Sequence, residues 1–480
     1  MRGETLTVEP QRWQHQGFAE LDFDGRKLVV WEGIPGESSR VTVRHEGQNR
    51  IRSEWQGAAG APHPSRRKPP CERYRTCGSC PLMHMDGDGQ RDARLRIVHD
   101  SLDEFGLAEH TPDSVVPSPD GDVDYRHVVK LAVGMSDRGN IRIGAFRRGS
   151  HDIIAIPDCT VATPQLRQAM RVVARAVIDL DIHAWSPGHG GTLRYIILRQ
   201  SRTTGMVLCT LVVGRSTRFL ETLAARVMSV ESGIVGVHMH VNRDPGNAIF
   251  NAAGDPMGPG FTRVEGERTI VEELAGVKLE IGPGDFFQAN PGMAERIAHD
   301  IVAAFAPWED RPAVDLYCGV GAFSLPLAKA HGWLLGVEVG EGAVARARTN
   351  AVRNHLQAEF LAGEVADRLP EIVARVADKA PVVLVDPARR GLEEGALDRI
   401  LELKPAVVGY LSCNPRSLSR DLRQFVDAGW TVDFVRAYDM FPQTPHVETF
   451  ALLRPPEAPE PAGRAPQRRI VSRGGGGHGR

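Results

Sequence analysis

With 480 residues, 42% of them hydrophobic, the chain is long enough for about three ordinary domains of ~150 residues. No apolar run approaches the ~18 residues of a membrane span, and residues 1–14 hold no apolar signal region. A membrane or secreted destination is therefore not expected, a cytoplasmic enzyme is, and the net charge of −2 does not by itself announce a nucleic-acid partner.

Residues 1–58 alternate apolar and polar positions in short runs. Those at 28–31, 41–43 and 51–53 read as strands, Asp24-Gly25 as a hairpin and Pro35-Gly36 as a turn. A small five-stranded β-barrel fits, a form that often binds RNA. Residues 58–70 are rich in Gly, Pro and Arg and read as a linker. Arg66-Arg67-Lys68 there, Arg147-Arg148 further on and the Arg-rich tail are basic runs suited to phosphate, or to a solvated surface.

Seven cysteines is an odd count, and in a reducing compartment disulfides are not expected. Cys71, Cys77 and Cys80 lie close together, and Cys159 follows Ile156-Pro157-Asp158. Four thiolates suit a cubane iron–sulfur cluster, and a four-thiolate set with one CxxC also suits zinc; the spacing leaves both open. Cys209 and Cys318 read as packed thiols.

The spacing of Leu95, Val98, Leu102 and Phe105 predicts a helix over 90–105. Strands and helices mix from about 120 to 280, with 167–180 the clearest helix. From Asp285 the pattern is α/β. A strand at 313–317 runs into the glycine turn Cys318-Gly319-Val320-Gly321-Ala322-Phe323, and a helix opens at Ser324. A second strand, 333–337, ends in Glu338, an acidic residue placed to meet ribose hydroxyls. The pair suits a dinucleotide or S-adenosylmethionine equally well. A further strand, 381–385, ends in Asp386-Pro387-Ala388-Arg389, which resembles the short polar motif that nucleobase methyltransferases place beside the base they modify. An apolar run at 406–411 then ends in Ser412-Cys413-Asn414-Pro415, and Pro445-His446-Val447-Glu448 opens another. A thiol and a carboxylate at two strand ends suggest a nucleophile and a general base; a buried structural cysteine and a surface glutamate are the plainer reading. The tail from about 455 is rich in Pro, Arg and Gly and cannot pack a core.

Taken together, residues 315–321 (DLYCGVG), 386–389 (DPAR), 412–415 (SCNP) and 441–448 (FPQTPHVE) resemble the RNA 5-methyluridine methyltransferase family, in order and spacing. Residues 1–58 resemble that family's RNA-binding TRAM domain, with Ile34-Pro35-Gly36-Glu37 in its expected place. The implied fold is multidomain: a TRAM/OB-like barrel (1–58), a linker, cluster segment and central α/β domain (59–285), a Rossmann-like class I methyltransferase domain (286–455) and a disordered tail (456–480).

The resemblance implies roles. Uracil C5 is a poor nucleophile, so a thiolate must add at C6 and a base must later remove the C5 proton. Cys413 would be the nucleophile and Glu448 the base. Gln288, Tyr317, Glu338, Asp386, the turn glycines Gly319 and Gly321, and Glu364 would hold S-adenosylmethionine. Phe286 would stack on the flipped base, and Arg126, in Tyr125-Arg126-His127, would contact RNA. Some members carry Asn where this chain has Ala322, so that side-chain contact is lost. Cys71, Cys77, Cys80 and Cys159 would hold [4Fe-4S], because the ribosomal members carry the same three-plus-one pattern. The barrel and cluster point to 23S ribosomal RNA, with transfer RNA the alternative, in a monomer without an obligate protein partner. A cytosine C5 methyltransferase and an RNA-binding or ribosome-assembly protein with an inactive methyltransferase domain are the competing readings.

Overall fold

The computed structural model describes residues 1–456 apart from 137, 187, 189, 245, 247 and 251–259. From 457 on, the expected tail lies outside the described residues. Among the described residues no helix is long and apolar enough to cross a membrane.

The N-terminal sheet has six strands, one more than expected, in the order Thr5–Val8, Ser39–Glu46, Arg50–Ala58, Arg26–Trp31, Ala19–Phe23, Arg12–Trp13. The extra strand has two residues, too few for alternation to signal. It is held at the edge by the pairs Arg12↔Glu20 and Trp13↔Ala19 and by an ion pair from Arg12 Nε to Glu20 Oε1 at 2.9 Å. Asp24 and Gly25 both take positive φ (51° and 72°), as the tight hairpin between right-twisted strands requires. Val8, Leu21, Leu28, Val30, Val41, Val43 and Ile51 form the core.

The Gly- and Pro-rich segment that follows is not a free linker. The Arg66 guanidinium pairs with the buried Glu37 carboxylate and stacks 4.1 Å from the Trp55 ring centroid. Arg67 pairs with Asp122 at 2.6 Å. Two of the three cations in this basic run are thus already paired within the chain. Helix Gly87–Asp103 starts earlier than its apolar spacing suggested, because the Asp86 side chain accepts the Gly89 N–H at 2.8 Å and caps it.

A central seven-stranded sheet runs Ile153–Ala155, Ile141–Phe146, Val128–Met135, Leu193–Gln200, Val207–Val213, Ile234–Val241, Phe261–Gly266. Helices Pro164–Asp179 and Phe219–Met228 share a core with one face of it. The first begins at Thr163, whose hydroxyl accepts the Leu166 N–H, followed by Pro164 in the first turn. It buries Leu166, Ala169, Met170, Val173, Ala176 and Val177, a stripe at helical spacing.

The C-terminal sheet has eight strands: Ala358–Ala362, Leu334–Glu338, Ala313–Leu316, Val382–Val385, Val407–Ser412, Glu448–Arg454, Thr431–Tyr438, Val115–Val116. The first five are mutually parallel and Glu448–Arg454 is antiparallel to both its neighbours. Its two faces carry the two largest cores. The last strand comes from far upstream, and Val98, Leu102 and Leu107 of the same upstream region join one of these cores. Successive crossovers run one way from Ala313–Leu316 and the other way from Val382–Val385. The crevice at this reversal is where open α/β sheets bind ligands.

Candidate active site

The glycine turn leaves Ala313–Leu316 at that crevice. Tyr317 takes φ 71°, a conformation costly for a bulky side chain, and its N–H and that of Cys318 both donate to Val337 O. Gly319 (φ 53°) and Gly321 (φ 87°) complete the turn, and a Cβ at Gly319 would meet no neighbour, leaving its backbone open to a ligand. The Glu338 carboxylate accepts the Gly319 N–H at 3.2 Å and the Gly340 N–H at 2.9 Å, which fixes it at the end of the neighbouring strand.

A small cleft of about 40 Å³ opens over the turn, lined among others by Phe286, Gln288, Asp315, Tyr317, Gly319 and Asp386. Gln288 is buried, whereas Phe286 is 72% exposed. Glu364 is exposed just before helix Val365–Val376 and does not line the cleft, but its charge helps push the Tyr317 hydroxyl up to about 12, after burial and Glu393. Cys318, expected to be a packed thiol, is buried and also lines the cleft.

No role is expected of Asp315 from the sequence, although it lies in the DLYCGVG motif. It is buried, its Oδ2 accepts the Ser324 hydroxyl, and its Oδ1 has no hydrogen-bond partner. Burial pushes its carboxyl up to about 8, against the Ser324 hydrogen bond.

The thiol and carboxylate meet at the same end of the sheet. Ser412 pairs with Thr449 across the antiparallel strands, so the next residues, Cys413 and Glu448, follow on opposite sides of the ladder. Cys413 is half-buried, and burial, then Glu448, then Asp386 push its thiol up to about 11 while Arg389 pulls it down. Glu448 is buried, and burial, then Asp386, hold its carboxyl well above the usual carboxylate range. Asp386 is half-buried, its N–H donates to Leu316 O at 3.2 Å, and burial, then Glu338, push it up to about 7. Three acids thus crowd one end of the sheet, with Arg389 the nearby cation. No role is expected of Arg389 from the sequence, although it lies in the DPAR motif.

The segment before Glu448 is fixed from outside its own sheet. The Gln443 N–H donates to Gln90 Oε1 at 2.7 Å, and Gln90 Nε2 donates back to Gln443 Oε1 at 2.9 Å. Arg94, fully buried, pairs with Asp439 at 3.1 Å and donates to Thr444 O at 2.9 Å. The Tyr125 hydroxyl donates to Pro442 O, and the Leu82 N–H to Gln443 O. Nothing in the spacing of Gln90 and Arg94 marked these contacts.

Cys71, Cys77, Cys80 and Cys159 line one cavity together with Tyr74 and Arg126. Burial and the other three cysteines push the Cys80 thiol far up. Among the described residues no group of three or more His, Cys, Asp or Glu is arranged to hold a metal ion. Arg126, expected to contact RNA, lies against these cysteines, and its Nε donates to Val128 O at 2.9 Å.

Strand order, glycine turn and the acid-lined crevice define the class of the C-terminal domain as an S-adenosylmethionine-dependent methyltransferase fold. The sequence model of the tRNA (Uracil-5-)-methyltransferase family matches residues 278–455. An RNA methyltransferase of Parasynechococcus marenigrum is 33% identical over 457 residues, spanning 91% of this chain and 94% of that protein. One of Gloeobacter violaceus is 33% identical over 468 residues, spanning 94% and 97%. Among solved structures, the Pyrococcus abyssi tRNA (uracil-54, C5)-methyltransferase in complex with S-adenosyl-L-homocysteine superposes with a TM-score of 0.73 at 26% identity, covering 93% of this chain and all of that one. The chain belongs to the RNA uracil-5-methyltransferase family.

Proposed function

We propose that the protein methylates C5 of a uridine in 23S ribosomal RNA through a covalent adduct on Cys413. One observation carries the chemistry: the antiparallel register brings Cys413 and Glu448 to the same end of the sheet, beside Asp386.

The Cys413 sulfur, as thiolate, adds to uracil C6 and makes C5 a carbon nucleophile. S-adenosylmethionine, when bound, supplies an electrophilic methyl group to that carbon. Gln288, Tyr317, Glu338 and the turn at Gly319 and Gly321 would hold the cofactor, and Asp386 lines the same cleft. The unpartnered Oδ1 of Asp315 supports a polar ligand in this cleft. Glu448 then takes the C5 proton, and the C6–sulfur bond breaks to release the thiol. The exposed ring of Phe286 covers the flipped base.

The thiol set at 71, 77, 80 and 159 suits [4Fe-4S]. Its donors are all sulfur and line a single cavity, and a cubane spreads its ligands more widely than one ion does. The cluster would pin the segment that touches Gln443. These cysteines and the N-terminal sheet support the ribosomal reading, in a cytoplasmic monomer. The transfer-RNA reading has its own support in the full-length likeness to the Pyrococcus abyssi enzyme.

Mapping 5-methyluridine in ribosomal and transfer RNA from a deletion strain tests the substrate: loss in 23S RNA is expected, and loss confined to transfer RNA overturns it. For the mechanism, Cys413→Ala is expected to abolish transfer, and Glu448→Gln to accumulate an RNA adduct that survives denaturation. Methyl transfer by Cys413→Ala would sink the adduct.

A further inference from the structure

One face of the central sheet carries helices Pro164–Asp179 and Phe219–Met228; on the other, the cluster of Val128, Ile197 and Val212 includes no helical residue among the described residues. On Val128–Met135, residues 129, 131 and 133 point into the helix-covered core, so Val128, Lys130 and Ala132 face the other way. The register Tyr195↔Ala132 and Ile197↔Lys130 extends this face across the next strand. Ala289, next to Gln288, packs on it against Val128, Ile197 and Val212, and the His127 N–H donates to Ala289 O at 2.8 Å. The open face therefore begins at the loop that carries Phe286 and Gln288.

At its other end lies a groove of about 600 Å³, lined by Lys130, Ala132, Tyr195, Phe146, Arg147 and His151 among others. None of its lining residues is acidic, although the chain as a whole has 60 acidic residues against 58 Lys and Arg. Of the groove's cations, Arg148 is ion-paired with Glu32 at 3.3 Å, whereas Lys130 and Arg147 are not ion-paired among the described residues, and the charged neighbours of Lys130 are Arg126 and Arg199. Phe146 is 44% exposed and meets the His151 ring edge-on at 6.3 Å. Cations without counter-ions, next to an exposed ring, complement a chain of phosphates with unstacked bases.

We propose that this groove binds single-stranded RNA flanking the target uridine, with Phe146 stacking on a base and Lys130 and Arg147 meeting phosphates. The proposal rests on the RNA methyltransferase reading and adds a second place where the substrate is held. Because stacking tolerates any base, the groove would add affinity and register rather than choose a sequence.

The test uses the full chain and total RNA from a strain lacking the gene. Ultraviolet cross-linking followed by peptide mapping is expected to find RNA on residues 141–151. Phe146→Ala is expected to weaken RNA binding about tenfold. In Lys130→Ala/Arg147→Ala, the plot of log Kd against log salt is expected to be shallower by about 1.4, the value for two phosphate contacts to a single strand. S-adenosylmethionine binding should be unchanged in both. If wild type methylates RNA while both variants bind it with unchanged affinity and slope, or if cross-links avoid 141–151, the groove is not an RNA site and the function stands. If wild type neither binds RNA nor transfers methyl groups to it, the functional reading fails and the groove with it.

Discussion

Cys413 starts from a position hostile to a thiolate. Burial and the Glu448 and Asp386 carboxylates favour the protonated thiol, against Arg389 and a backbone hydrogen bond. Replacing Glu448 by Gln removes the largest electrostatic contribution to the raised thiol, so the thiol's pKa falls and its thiolate fraction rises at a given pH. The pH profile of Cys413 alkylation by iodoacetamide should therefore lie at lower pH in Glu448→Gln than in wild type. An unchanged profile would mean that Glu448 bears no charge near the thiol. The identities of these residues were legible because SCNP and PHVE are short, distinctive motifs. Their crowding was not, since it depends on a register between strands whose residues are far apart in sequence.

At the level of elements, the base segment is held by a helix from elsewhere in the chain. Arg94 sits on Gly87–Asp103 and closes a buried ion pair with Asp439. Removing one partner leaves the other charge buried and unpaired, so Arg94→Ala is expected to lose about 3–5 kcal/mol in urea unfolding. The double variant Arg94→Met/Asp439→Leu should recover much of that loss while leaving the base segment less well held. A double variant no more stable than Arg94→Ala would show that the hydrogen bonds to Thr444 O and Phe441 O, rather than the pair, carry the stability. The apolar spacing of Leu95, Val98 and Leu102 made the helix itself legible. Its polar partners were not, because Gln90 and Arg94 are common helix residues with nothing in their spacing to show that they are buried. The two-residue strands Arg12–Trp13 and Val115–Val116 were likewise too short to carry a pattern.

For the whole molecule, the parallel strands were legible as apolar runs ending in polar motifs, and the central sheet only as mixed strands and helices. The C-terminal sheet also takes pieces from upstream of residue 286: the strand Val115–Val116 and the buried Val98, Leu102 and Leu107. A fragment spanning only the matched region 278–455 is therefore expected to unfold without cooperativity in urea, and co-expression with 82–120 to restore a sharp transition. A sharp transition for the fragment alone would show that the upstream pieces are dispensable. The borrowed strand also sets an order of events. Val115 and Val116 leave the ribosome long before Thr431–Tyr438, the strand they pair with, has been made. The sheet can be finished only once the residues up to Arg454 have been made, so activity should appear only after that point of synthesis, and a product truncated before it would carry the thiol without the fold that controls it.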